Sequence, residues 1–442
     1  MLIGHFTEQP WQQADGAPPL SAGLTRAEWG MGPSNAEYDP HQGNRLYHRY
    51  LDEKLYAEEV GFDALMLNEH HAAPFCIQSV TNVELAILAR QTKKAKLAPL
   101  GNVLPLWDDP LWLVEQLAMI DMISHGRLIS GFVRGIAREG FTHNANPMYN
   151  RERWQEAHDF LIKSWTTPGP FRWESKHFNY RYVNPWSVPL QKPHPPIWVP
   201  GVTSYSTAEW CARHGYPYIM LATMLDTTKE LFNHYHQVTR EMGYSDGPHR
   251  VGYMFKVHVE ATEEKAHDVA RKYLRGAANP NLIGNVEQVQ IQAQAGERQW
   301  LSAPPGLQGE VREHGRYAYG ASTGAEARLR RERLGRMSYE EQVANYQINT
   351  GTPKTVIAKV RHILEFLRPG SIFFWDGDGR MDHDDQMRSL RLMGEEVIPA
   401  AREIGKELGL KSPFEVNDGT GYDYEAWKKA NAAQGTPAAG KA

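Results

Sequence analysis

"LDEKLYAEEVGFDALMLNEHHAAP", residues 51–74, runs from a helical pattern through a turn into a strand and then a polar cluster. Leu51, Leu55 and Tyr56 share one helical face, and Gly61 is the residue a left-handed helix cap prefers. The apolar run "DALML" (63–67) follows at once and stops abruptly before Glu69, His70 and His71. A helix that hands over directly to a buried-looking strand is the repeating step of a parallel sheet.

The same alternation continues along the chain. Strand-like runs are "LIGHF" (2–6), "DALML" (63–67), "KLAPLG" (96–101), "RLISGFV" (127–133), "PIWVP" (196–200), "PYIML" (217–221), "GYMFKVHVE" (252–260) and "SIFFWD" (371–376). Helical patterns cover 44–60, 79–91, 110–123, 151–165, 204–214, 227–242, 262–275, 353–367 and 384–407. Eight strands, each followed by a helix, is the count of a TIM barrel, and one closed barrel fits 442 residues. A doubly wound open sheet is the competing architecture. No Gly-x-Gly-x-x-Gly follows the first strand, which weakens it.

The expected fold is therefore α/β, a (β/α)8 TIM barrel over residues 1–415. Insertions are expected after strands one, four and seven, at about 7–43, 167–195 and 276–337. Long loops in compact domains usually carry function. Residues 416–442 read as a flexible C-terminal tail.

Composition excludes several partners. Apolar residues make up 41% and charged residues 23%, as in a soluble globular enzyme. A formal charge of -4, from 48 basic and 52 acidic residues, gives no electrostatic case for nucleic acid or an anionic membrane. The start, "MLIGHFTEQPW", lacks a signal-peptide pattern, and no apolar run is long enough to span a bilayer. Two cysteines, Cys76 and Cys211, argue against a disulfide framework or a thiolate zinc site. The expected address is cytoplasmic.

Three stretches carry the chemistry. Glu69, His70 and His71 end strand two, on the barrel edge where such enzymes place their active sites. In an extended chain Glu69 and His71 face one way and His70 the other, so one metal held by all three is disfavoured. A single imidazole handling a proton fits better; an ordinary polar strand end is the bland alternative. After strand four, Arg134-Gly135 offers a guanidinium fork and close backbone approach. After strand five, Gly201 leads to Thr203, Ser204, Ser206 and Thr207 at a helix start, which suits an anion beyond simple N-capping. A phosphorylated cofactor across the barrel mouth would use all three. Asp382–Asp385 read as first-turn residues of the last helix facing its dipole. The Pro195–Pro196 bond is a candidate for the cis form.

"YAEEVGFDALMLNEHHAAP" (56–74), "LPLWDDPLWLVEQLAMIDMISHGRLISGFVRG" (104–135) and "PIWVPGVTSYSTAEWCARHGYPYIML" (196–221) together resemble the bacterial luciferase-like, flavin-dependent monooxygenases. "GTPKTVIAKVRHIL" (351–364) followed by "MRSLRLMGEEVIPA" (387–400) is similar to that family's C-terminal signature. The resemblance covers roughly residues 1–275 and 338–405. It implies a TIM barrel that uses reduced FMN as cosubstrate, with O2, through a flavin hydroperoxide that oxygenates a small apolar organic substrate. By position His70 matches the histidine needed for productive flavin oxidation, accompanied by Glu69. Arg134 and the backbone of Ile136 match the phosphate-holding turn, and Ser204 and Thr207 match hydroxyls on the phosphate. Thr203, Gly201 and Asn102 complete the expected cofactor contacts; no metal ligand is expected.

Val133 stands where the luciferase catalytic subunit has a reactive cysteine, and Thr203 replaces an acidic residue, which argues against light emission. With no nicotinamide fingerprint visible, the resemblance implies a separate NAD(P)H flavin reductase and a homodimer paired through helices beside strands two and three. The 276–337 insertion is then a candidate lid and 167–195 a candidate wall on the substrate side. The rival readings are a deazaflavin-dependent hydride-transfer enzyme of the same superfamily, a metal-dependent barrel hydrolase using Glu69, His71 and the 382–385 acids, and a non-catalytic flavin binder.

Overall fold

The structure is a computed structural model that describes residues 1–14, 34–71, 74, 76–135, 137–146, 149–202, 204–274, 337–377 and 381–416. Strand β1 (Leu2–Phe6) pairs in parallel with β2 (Ala64–Leu67), and β2 with β3 (Lys96–Pro99). A parallel bridge from Leu97 to Leu128 joins β3 to the run ending in β5 (Ser130–Val133), which also pairs with the two-residue β4 (Asn102–Val103). The circuit continues through β8 (Ile197–Gly201), β9 (Tyr218–Leu221) and β10 (Val251–Val259) to β12 (Ser371–Trp375). β12 pairs residue for residue with β1, Leu2 against Ser371 through Phe6 against Trp375, and the barrel closes. Between α5 (Asn150–Thr166) and β8 the antiparallel hairpin β6 (Phe171–Glu174) and β7 (Asn179–Val183) forms its own small sheet. β11 (Ile348–Gly351) pairs with the far half of β10.

Alternation along the strands decides which side chains enter the barrel. Leu2, Phe6, Met66, Ala98, Ile129, Trp198, Ile219, Met254 and Phe373 fill the interior. Their neighbours Ile3, Leu65, Leu67, Leu97, Val199, Tyr253, Phe255, Ile372 and Phe374 pack outward under the helices. The interior is a packed core, as this architecture requires. It is crowded enough that a Cβ on Gly4 would lie 2.4 Å from the Phe373 ring.

The helices start and stop where local chemistry dictates. α1 (Pro40–Glu59) is capped by Asp39, which accepts from the His41 N–H at 2.9 Å. Gly61, at φ +106°, turns the chain from α1 into β2. α2 (Thr81–Gln91) and α3 (Pro110–Ile123) follow β2 and the β3–β4 segment. Arg127 is buried beyond α3, and its guanidinium donates to the carbonyls of Ala89, Thr92, Ala95 and Ser124, tying the end of α2 to the sheet. α4 (Ala137–Thr142) and α5 (Asn150–Thr166) come after β5; the β6–β7 hairpin lies on α5, with Phe160 stacked on Tyr180 at 4.7 Å. α6 (Tyr205–His214), α7 (Leu225–Glu241), α8 (Glu263–Tyr273), α9 (Tyr339–Ala344) and α10 (Pro353–Leu367) continue the shell. α11 (His383–Leu392), a π-turn at Met393–Val397 and α12 (Ile398–Glu407) finish it. Among the described residues no helix is long and apolar enough to cross a membrane.

The bond before Pro196 is not the cis one; Lys192–Pro193, Gly169–Pro170 and Leu100–Gly101 are. Every X–Pro bond has only a small trans preference, so the sequence does not say which proline in "KPHPP" takes the cis form. Residues 15–33 of the first expected insertion, nearly all of the third, and the tail from 417 lie outside the described residues.

A buried ion cluster seats α11 on the barrel. His258, with no exposed surface, lies 3.3 Å from Asp376 and 3.6 Å from Glu260. Arg388 of α11 bonds Glu260 through Nε at 2.8 Å and also reaches Asp385, while Ser389 donates to Asp376 at 2.7 Å. Burial opposes charge on His258, but Asp376 and Glu260 overcome it and hold the imidazole up at about 9. Burial likewise pushes the Glu260 carboxyl up, and His258 and Arg388 more than offset this, holding it down at about 2. Both folded values move toward the charged form. The His258 contribution is thus complete below its ordinary value of about 6.5 and lost as pH rises through about 9. The Glu260 contribution is complete above about 4.5 and lost as pH falls through about 2. Urea unfolding of wild type and Asp376→Asn should show a stability gap that shrinks between pH 6.5 and 9.5; a gap constant over that range would contradict a charged His258.

Candidate functional site

All eight barrel strands run parallel, so their C-terminal ends form one mouth. β5 ends at Val133, and Arg134 with Gly135 carries the chain into α4. β8 ends at Gly201, and Ser204 caps α6, its Oγ accepting from the Thr207 N–H at 3.3 Å. The Thr207 hydroxyl donates to Ser204 Oγ at 3.0 Å, and Ser206 Oγ lies 3.1 Å from it. Arg134 Nη2 donates to Thr207 Oγ1 at 3.2 Å, across 73 residues of sequence. Two turns that the sequence offers separately are one cluster here: a guanidinium, three hydroxyls and a helix N-terminus. That donor set matches a phosphate dianion, because the fork presents paired N–H groups and the helix end adds a partial positive charge.

The opposite side of the mouth carries a charge-balanced cluster instead. The ends of β10 and β12, where barrels commonly bind phosphate, carry Glu260, Asp376 and, from α11, Asp385. An anion there would face carboxylates already committed to His258, Arg388 and Lys265.

His70 sits between these regions. Its Nδ1 is 2.5 Å from Glu139 Oε1 on α4, and its Nε2 is 3.9 Å from Glu8 Oε2 beyond β1. Asn68 donates its amide to Glu8. Glu69 turns the other way, its Oε1 3.4 Å from His71 Nε2, and the His71 ring meets His143 edge-on at 4.2 Å. The alternation expected of an extended strand end is present: Glu69 pairs with His71, and His70 has separate partners. Glu139, Glu8 and Asn68 were not singled out by the sequence. Glu139 follows Arg134 by five residues, but no spacing rule links it to a histidine 69 residues earlier.

The remaining expected contacts divide. Asn102 is fully buried and donates to Asn82 Oδ1 at 3.0 Å, while its own Oδ1 has no hydrogen-bond partner. Gly201 leaves room for a neighbour, since a Cβ there would lie 2.2 Å from the Tyr218 hydroxyl. Ile136 and Thr203 lie outside the described residues. Asp382 takes the N-cap position of α11 without a side-chain cap bond, and Asp385 is tied to Lys265 at 3.0 Å and to Arg388. Among the described residues no group of three or more His, Cys, Asp or Glu is arranged to hold a metal ion.

Residues 33–367 match the family described as Luciferase-like monooxygenase. The chain is 29% identical over 222 residues to the alkanal monooxygenase alpha chain of Photorhabdus luminescens, covering 49% of this chain and 60% of that relative. The match thus spans under two thirds of that relative's length. In fold, the chain is similar to the oxygenating constituent of 3,6-diketocamphane monooxygenase from Pseudomonas putida, solved in complex with FMN. The TM-score is 0.63 at 18% identity, over 90% of this chain and 98% of the other. It is also similar to an F420-dependent secondary alcohol dehydrogenase, with a TM-score of 0.59 at 16% identity, over 91% and 99% of the two chains. At those identities the structural likeness is one of fold.

Gly135 holds the two halves of the site in place. Its φ is +76°, and a Cβ there would lie 2.5 Å from Val103 and 2.8 Å from Glu139 Oε2. Gly135→Ala should therefore cost about 1–2 kcal/mol for the left-handed backbone alone, with more from displaced neighbours. Denaturant unfolding checks this; a loss below about 0.5 kcal/mol would contradict the strain argument.

Proposed function

We propose that this chain, which belongs to the luciferase-like monooxygenase family, is the oxygenase component of a two-component flavin enzyme that uses reduced FMN and O2 on a small organic substrate. The observation that carries the reading is the Arg134–Thr207–Ser204 cluster at adjacent strand ends. Arg134, Ser204 and Thr207 would hold the FMN phosphate, and Ile136, Gly201, Thr203 and Asn102 are the further proposed cofactor contacts. When bound, reduced FMN supplies the electrons that activate O2. The chain's own residues orient the cofactor, handle protons and keep water out. His70, and Glu69 next to it, are the candidates for proton handling at the mouth.

Phe6 and Trp375 meet edge to face at 5.4 Å, and the Lys256 ammonium lies 4.3 Å from the Trp375 ring centre. The partly exposed Trp375 ring at the end of β12 is the surface this reading offers a small, mainly apolar substrate. A separate NAD(P)H flavin reductase is the partner this reading requires, and the solved relative named an oxygenating constituent supports it. The second reading is hydride transfer with a deazaflavin, favoured by the likeness in fold to the F420-dependent dehydrogenase. The Arg134 cradle would serve either phosphorylated cofactor.

A homodimer is part of the proposal. α2 and α3 present Val83, Ile87, Trp112, Met119 and Ile123 to solvent, Trp112 at 65% exposure, and a second copy would cover them. Trp112→Glu should shift the protein to monomer in sedimentation; a wild-type monomer at micromolar concentration would overturn the dimer.

Anaerobic titration with reduced FMN, followed by rapid mixing with oxygenated buffer, tests the enzyme reading. Binding should be saturable, and a flavin absorbance phase should outlive the reaction of free reduced FMN with oxygen. Arg134→Ala should weaken binding about 10–100-fold by removing charge-assisted bonds to the phosphate. His70→Ala should leave binding near wild type and abolish coupled oxygenation. Binding of a reduced deazaflavin in place of FMN would turn the assignment to hydride transfer.

A further inference from the structure

His70 is held by two carboxylates that have no part in a phosphate cradle. Glu139 approaches from α4 at Nδ1, 2.5 Å away, and Glu8 from beyond β1 at Nε2, 3.9 Å away. Both carboxylates belong to buried residues, Glu139 at 1% exposure, whereas His70 keeps part of its ring open to the mouth. Asn68, two residues before His70, fixes Glu8 through its amide N–H, and the Cys76 thiol lies 3.7 Å from Asn68 Oδ1. Gly135, two residues before α4, leaves the space Glu139 occupies, since a Cβ there would lie 2.8 Å from Glu139 Oε2. Segments that follow three different barrel strands, β1, β2 and β5, thus converge on one imidazole.

An ionised carboxylate has only lone pairs to offer, so a ring nitrogen at hydrogen-bond distance from it must carry the proton. The second nitrogen is then the one that takes up or returns a proton. We propose that Glu139 is a positioning residue that keeps His70 in the Nδ1-protonated tautomer, so that Nε2 works toward the barrel mouth, and that Glu8 steadies the imidazolium formed when Nε2 is protonated. The inference rests on the reading of His70 as the proton-handling residue. The balance is simple: Nε2 gains one proton from the group it serves, Nδ1 keeps its own, and neither carboxylate changes protonation. The arrangement has the logic of a histidine oriented by a buried acid, whose loss misdirects the tautomer while leaving the fold in place.

The test has two readouts. Long-range nitrogen–proton correlation spectra of protein labelled with 15N-histidine report the tautomer directly, with His70→Gln identifying the His70 signals. Wild type should show the Nδ1–H form, and Glu139→Ala should shift the ring to the Nε2–H form or a mixture. In parallel, Glu139→Ala should bind reduced FMN within about threefold of wild type while its His70-dependent reaction after oxygen mixing slows about 10–100-fold. An Nε2–H ring in wild type, a tautomer unchanged in Glu139→Ala, or an undiminished reaction overturns the proposal. Should Glu139→Ala fail to fold, the isosteric Glu139→Gln decides. Its amide oxygen still accepts from Nδ1, so the tautomer should persist and the rate should fall only modestly; a loss as deep as that of His70→Gln with the tautomer intact would rule out the positioning role. Wild type with the Nδ1–H form but no response to reduced FMN would support the tautomer assignment and sink the monooxygenase reading, so the two failures are distinguishable.

Discussion

The pairing of Leu2–Phe6 with Ser371–Trp375 joins chain segments some 370 residues apart, and the geometry of the mouth depends on it. Without that contact the sheet would be open, with β1 and β12 as bare edges and the strand ends fanned out by twist. With it, the residues after β1, β2, β5, β8, β10 and β12 face one another around a ring. Glu8 can then reach His70, and Arg134 can reach Thr207. The register is specified from inside. Leu2 and Phe6 enter the core while Ile3 packs under the helices, so a slip of one residue would exchange the two sets. Gly4 leaves the space that the Phe373 ring needs on the neighbouring strand.

The division of labour around the ring follows from which groups need company. On the proposed function, a phosphate needs several donors aimed at one point, and the segments after β5 and β8, adjacent in the sheet, bring a guanidinium and a helix start together. A proton-handling imidazole would need a fixed orientation, and the carboxylates beside His70 come from the segments after β1 and β5. Gly135 lies between Arg134 and Glu139, so a single tight turn positions a residue of each kind.

Strands and helices were legible because they rest on local signals. The runs at 2–6, 63–67 and 371–376 announced themselves as apolar, and α3 and α10 have the boundaries expected at 110–123 and 353–367. The places of His70, Arg134, Ser204 and Thr207 just beyond strand ends were also readable, since each comes soon after an apolar run. Glu139 and Glu8 were not. Their meaning lies in a contact across 69 and 62 residues, and a glutamate in "AREG" or "TEQP" looks like any solvated acid. The same holds for His258, whose charge is visible only once Asp376, 118 residues later, is folded against it. The cis proline was misread for a related reason: the preference that separates Pro193 from Pro196 is set by tertiary surroundings, not by the dipeptide.

The ion cluster of Glu260, Asp376 and Asp385 with His258, Arg388 and Lys265 has a further consequence. A barrel of eight similar units is nearly symmetric about its axis and by itself gives a long ligand no preferred direction of entry. At the ends of β10 and β12 three carboxylates are matched by His258, Arg388 and Lys265, which leaves little net field there, whereas the guanidinium and helix start after β5 and β8 supply a positive one. The pseudo-symmetric scaffold thereby acquires one positive pole, and the anionic end of a ligand is drawn toward that side.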